Sequence, residues 1–157
     1  MRNERKIILI YVLTSLGIMI WLGAIGLAPY LRSRGIGLFP FFYACFSSIC
    51  HQNPSRSFHL FGFPLAVCAR CLGIYAGFLV GMVLYPFKRG FLSVRLPKIA
   101  LFLAVSTPIG IDTAANVLAL WSTSNPIRFV IGLLWGFILP FYFLTGLVEL
   151  ALHFHKN

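Results

Sequence analysis

Four long apolar runs, parted by short polar breaks, organise this chain. They place spanning helices at about 7–31, 67–87, 98–121 and 127–152, each near the roughly 20 residues that cross a bilayer. The second apolar run proper starts only at Leu72, so its helix must begin upstream, near Val67. A fifth run, 36–49, contains Pro40 and is about 14 residues long, which suits an interfacial or re-entrant segment. The first run is longer than the roughly 7–15 residues of a signal-peptide core and reads as a retained helix. The expectation is an all-α, polytopic membrane protein with a single membrane domain over 1–157. Its four-helix transmembrane bundle carries an extracytoplasmic Cys/His-containing segment, 32–71, that is re-entrant or folds as a hairpin.

Composition strengthens this picture. Only 10% of the 157 residues are charged and 59% are hydrophobic, against about 25% charged in soluble domains. The net charge of +10 sets 13 Lys and Arg against Glu4, Asp112 and Glu149. Such a balance brings nucleic acid to mind, yet the cations are strung between apolar runs and form no dense basic face. The partner they fit is a bilayer with anionic lipid at its surface. With a cytoplasmic N-terminus, Arg2, Arg5, Lys6, Lys88, Arg89, Arg95, Lys98 and Lys156 lie inside, and Arg32, Arg34, Arg56, Arg70 and Arg128 outside. That bias follows the positive-inside rule, with the loop FKRGFLSVRLPK as its clearest signal. Both termini are then cytoplasmic in a multi-pass protein of the cell membrane.

Inside the runs, small and polar residues stand out. Gly73, Gly77 and Gly81 recur every four residues in the second span, and Gly132 and Gly136 in the fourth. Such stripes let helices approach closely; packing within one bundle is the first reading, homo-oligomer formation the second. Asp112 and Asn116, one turn apart, lie toward the outer end of the third span. Arg128 opens the fourth after STSNP, where Ser124 or Asn125 can cap and Pro126 occupies the first turn. An ionised group in a membrane needs a partner, so Asp112 is expected beside Arg56, Arg70 or Arg128. Asp112, Asn116, Asn125 and these three arginines form one polar cluster, either a salt bridge pinning helices or a site for an anionic lipid or small molecule.

The sharpest chemistry is in the cysteines. Cys68 and Cys71 form a CxxC pair, and Cys50 and His51 lie upstream. Folding SFHLFGFPLAV back around Gly62 and Pro64 would bring Cys50, His51, Cys68 and Cys71 together as a tetrahedral zinc site. Adjacent Cys and His are awkward ligands for one ion, which leaves room for only one of them to bind. A redox reading competes. An outward CxxC at the mouth of a four-helix bundle resembles, in outline, quinone-coupled disulfide-forming membrane oxidoreductases; Arg70 would favour a thiolate, and Cys45 with Cys50 would be the shuttling pair. A permanent disulfide is the plain structural alternative. Cys45, within FFYACFSS, reads as a buried thiol. CHQNPSRS also fits the Cys-x5-Arg-Ser spacing of cysteine phosphatases, but it lacks their glycines and Pro54 removes an N–H that would cradle phosphate. We read that match as chance, and the terminal HFHK as inert.

ICHQNPSRSFHLFGFPLAVCARCLGIYAG, then Asp112, then STSNPIRFVIGLLWG resembles a family of small bacterial and archaeal membrane proteins, the domain of unknown function numbered twenty eighty-five. The resemblance covers about 50–136. The family pattern has Thr where this chain has Leu72 and Gly where it has Thr113, so those two side chains inherit no role. What the resemblance implies is a membrane protein with a Cys/His/Arg cluster; it brings no activity with it.

Three classes follow: a metal-binding membrane protein, a membrane thiol–disulfide oxidoreductase, and a transporter or anionic-lipid-handling protein with structural thiols. Zinc is the cofactor implied by the first. The orientation has a direct test. A C-terminal fusion to a reporter active only outside the cytoplasm is expected to be silent; strong activity reverses the topology and moves the thiols to the reducing side.

Overall fold

The computed structural model describes residues 2–89 and 98–153. The basic loop around Arg95 and the tail around His155 and Lys156 lie outside the described residues. In chain order the elements are α1 (Arg2–Ser33), α2 (Phe39–Ser47), a 3-10 turn (Pro54–Arg56), β1 (His59–Leu60), β2 (Phe63–Pro64), α3 (Ala69–Arg89), α4 (Ile99–Val117) and α5 (Asn125–His153). Four stretches of helix, Arg5–Ser33, Ala69–Phe87, Ile99–Val117 and Asn125–Leu150, are long and apolar enough to cross a membrane. Large apolar side chains stand outward along them, as at Ile20, 72% exposed, and Leu103, 59% exposed. A water-facing surface of this kind would aggregate; a lipid-facing one is satisfied.

Two of these helices end by the same device. At Gly35, with φ +68°, the Ile36 N–H reaches the Leu31 carbonyl and the Gly35 N–H that of Arg32, so the last carbonyls of α1 are satisfied. At the end of α4, Ala119 takes φ +55° and the Leu120 N–H reaches the Ala115 carbonyl. This left-handed cap stops α4 at Val117, short of the end near 121 that hydropathy implies. No glycine announces it.

The centre of the fold is the α3–α5 pair. A Cβ on Gly73, Gly77 or Gly81 would land on the carbonyl oxygens of Phe129, Leu133 and Phe137 respectively. One on Gly132 or Gly136 would land on those of Arg70 and Ile74. The partners rise together along both chains, so α3 and α5 run parallel and touch backbone to backbone. Both begin at the same end of the bundle, where α1 and α4 finish. Helix α1 crosses α3, with the Tyr11 hydroxyl donating to the Met82 carbonyl at 2.9 Å. Helix α4 leans on α5, where the Trp135 indole donates to Ser106 Oγ at 2.9 Å and Phe102 packs edge-on to Tyr142.

Between α1 and α3 the chain folds over the end of the bundle. The short apolar run becomes the nine-residue α2, begun by Pro40 in its first turn, and Phe46 buries against Ile25 and Ala28 of α1. The expected fold-back is a real hairpin: His59 pairs with Pro64 and Leu60 with Phe63. Its two turn residues, Phe61 and Gly62, both have positive φ, the two-residue turn that matches strand twist. The Phe61 ring packs edge-on to Tyr30, and the Arg32 guanidinium covers the Phe63 ring at 4.7 Å, so the hairpin is tied to the end of α1.

Because α3 and α5 meet through backbone, a side chain on the shared face has nowhere to go. Gly77→Val is expected to destabilise the protein by about 3 kcal/mol. Gly17→Val, at a glycine with nothing within 4 Å, should stay within about 0.5 kcal/mol. Thermal unfolding in detergent separates the two; equal effects would mean the close approach does not form.

Candidate functional site

The start of α3 carries the CxxC pair. Cys68 immediately precedes the helix, its carbonyl accepting the Leu72 N–H, and Cys71 sits in the first turn. Cys50 arrives from the end of α2, and its placement depends on Gln52. The Gln52 backbone turns through φ +48°. Its side-chain amide donates to the Tyr43 carbonyl at 2.7 Å and to the Ala66 carbonyl at 2.8 Å. The Tyr43 hydroxyl in turn donates to the Pro64 carbonyl at 2.5 Å. These bonds fasten α2 to the strand leading into Cys68.

The result is a three-thiol cluster. The Sγ atoms of Cys50, Cys68 and Cys71 all lie within 4.8 Å of one another, and Cys50 is buried. Three thiolates about 2.3 Å from a tetrahedral ion stand roughly 3.8 Å apart, so this cluster needs little adjustment to hold one. The Cys68 N–H already donates to Cys50 Sγ at 3.2 Å. Hydrogen bonds from the Cys50 and Cys71 thiols, and from N–H groups of Cys71 and Arg70, hold the Cys68 thiol well below its ordinary value. All four cysteines are free.

Two expectations change here. His51 does not join the thiols: Cys50 is buried while His51, next in an irregular stretch, is exposed, and no imidazole nitrogen belongs to the cluster. Cys45 is exposed on α2 rather than buried, because that helix packs through Phe42, Tyr43 and Phe46.

Beside the thiols lies the buried polar set. Asp112 is 5% exposed and pairs with Arg70, whose other terminal nitrogen donates to Thr113 Oγ1 at 3.0 Å. The second carboxylate oxygen accepts from the Thr123 hydroxyl and, at 3.0 Å, from Asn116 Nδ2. Asn116 Oδ1 then accepts from Arg128 Nη2 at 2.6 Å. Asn116 is thus a neutral bridge between the carboxylate and a second guanidinium, itself 5% exposed. Thr113 and Thr123 had no signal of their own in the sequence.

Asn125 does not cap α5 with its side chain. The Ser124 carbonyl takes the Arg128 N–H, and the Asn125 amide reaches out to the carbonyls of Ser55 and Ser57, each at 3.3 Å. Asn53 shapes that loop by accepting the Ser55 N–H at 3.0 Å. Arg56 therefore hangs over the site from a turn clamped to α5. A cavity of about 420 Å³ lies between, walled by the three thiols and by His51, Arg56, Arg70, Asn116 and Arg128.

This motif-bearing part of the chain, residues 50–142, matches the family model described as a predicted membrane protein, DUF2085. The chain belongs to the DUF2085 family. Over 146 residues it is 36% identical to an uncharacterised protein of Methanocaldococcus jannaschii, covering 89% of this chain and 94% of the relative. An uncharacterised protein of Methanothermobacter thermautotrophicus is 35% identical over 91 residues, covering 56% of this chain and 78% of the relative. No solved structure matches this DUF2085 protein.

The ion pair gives a prediction. Asp112→Ala leaves the partly buried Arg70 without its carboxylate and is expected to cost about 3 kcal/mol. Adding Arg70→Met should recover part of that loss, and Thr123→Val alone should cost about 1 kcal/mol. Denaturation of the four proteins in one detergent checks the order; an Asp112→Ala protein as stable as wild type rules out the pair.

Proposed function

We propose that this DUF2085 protein binds one zinc ion through Cys50, Cys68 and Cys71 at the extracytoplasmic face of the bundle. The observation that carries the reading is the meeting of three free thiols from two separate segments. Soft thiolates select zinc over the hard cations. The site would hold the hairpin and α2 onto the helices, because metal binding supplies folding free energy to a segment with little secondary structure of its own. Three thiolates would leave a fourth position for a further donor, and the cavity beside the thiols is walled by His51 and the arginines. The extracytoplasmic placement rests on the distribution of Lys and Arg between the two sides.

Purified without chelator in mild detergent, the protein is expected to carry about one zinc, with exposed Cys45 reactive from the start and the three cluster thiols reactive only after chelation. Cys50→Ser, Cys68→Ser or Cys71→Ser should each lose the metal and expose the outer segment to protease. Cys45→Ser and His51→Ala should retain it. A wild-type protein free of metal, with a Cys68–Cys71 disulfide that reduces and re-forms, replaces this reading with the thiol–disulfide one.

A further inference from the structure

The cavity beside the thiols has an excess of positive charge that its own residues do not neutralise. Three guanidinium groups wall it, from three different elements: Arg56 from the 3-10 turn, Arg70 from α3 and Arg128 from α5. Only Asp112 opposes them, and Arg70 takes that carboxylate. Arg128 is 95% removed from solvent, yet the partner it has is a neutral amide and its Nε makes no hydrogen bond. Arg70 Nε is likewise buried and unbonded. Among the described residues, the Arg56 guanidinium has neither a hydrogen bond nor an ion pair, and its charge repels that of Arg128. Zinc on three thiolates would add one negative charge and still leave one positive charge over. A cation as buried as Arg128, with an exposed guanidinium facing it across the cavity and no carboxylate of its own, calls for a counter-ion.

We propose that the cavity binds a phosphate-class oxyanion, held by Arg56 and Arg128 next to the three-thiol cluster. The arrangement favours a tetrahedral anion over a carboxylate. One guanidinium fork satisfies a planar carboxylate, whereas donors converging from separate elements fit oxygens that point in different directions. The first turns of α3 and α5 also open on this cavity, and their positive dipole ends add to the attraction. At about 420 Å³ the space takes free phosphate or the phosphate of a lipid headgroup. This anion site does not depend on the zinc reading, since the positive excess persists with the thiols neutral.

The test uses the full chain in nanodiscs of zwitterionic lipid, with zinc content measured on the same sample. Inorganic phosphate is titrated in one arm by calorimetry. In the other, phosphatidic acid is added and native mass spectrometry counts the lipids that remain bound. Saturable binding of phosphate, or retention of one phosphatidic acid, is expected, weakened about tenfold by Arg56→Gln. Arg56 is exposed and supports no other group, so that variant should fold as wild type. Arg128→Gln should weaken binding further. Phosphate binding alone identifies the free ion as the source, and retained lipid alone identifies the headgroup. Binding of neither, equal affinity for acetate, or affinities unchanged in Arg56→Gln overturns the proposal. Zinc without anion binding removes the anion site and keeps the metal centre; anion binding without zinc does the reverse.

Discussion

Parallel helices α3 and α5 are drawn together until the carbonyl of one stands where a Cβ of the other would be, and this contact fixes nearly everything at the end of the bundle. It sets the relative height of the two helices to within a fraction of a turn. Gly132 lies against the Arg70 carbonyl, so the guanidinium on α3 and the one a turn earlier on α5 open onto the same space. In lipid no hydrophobic effect pulls helices together, and the dispersion gained by close backbone approach acts in its place, alongside interhelical hydrogen bonds. A larger residue at any of the five glycines would separate the helices and so displace Arg70, Arg128 and the CxxC pair at once.

The polar layer built on this contact is ordered from both sides. From below, Asp112 and Asn116 of α4 bridge the two guanidinium groups. From above, Gln52 and Asn125 fasten the loop between α2 and α3 through main-chain carbonyls, so it is held by two donor side chains and by acceptors that any sequence would supply. Cys50 is the point where the two halves meet: it belongs to the loop's apolar cluster and to the thiol cluster. A metal there would join an otherwise lightly built loop to the closely packed start of α3.

What the sequence made legible follows from how each feature is encoded. The four apolar runs, the glycine stripes and the fold-back around Gly62 are linear patterns, and a linear pattern survives being read one residue at a time. The pairing of Asp112 with an arginine was legible because burial in lipid forces a charge to find a partner. The choice of Arg70 was not, since it depends on which side chains the α3–α5 register brings level. Gln52 and Ala119 adopt left-handed backbone with no glycine or asparagine to mark it. His51 and Cys45 were misplaced for a related reason: their types fit a ligand and a core residue, but direction along an irregular segment decides which way each faces. Thr113 and Thr123 became visible only once the carboxylate and guanidinium they serve had been positioned.

The two helices that fit most closely are not neighbours in the chain. When α3 enters a membrane during synthesis, its glycine face has no partner, and α4 must be threaded back before α5 arrives. Until then the loop between α2 and α3 rests on a helix end that lacks Arg128 and Asn125, and the thiols of Cys50, Cys68 and Cys71 border an open-sided space. The order of the genetic message thus delays the arginine wall and not the thiols: the three cysteines are made first, and the cavity beside them closes only with the last helix.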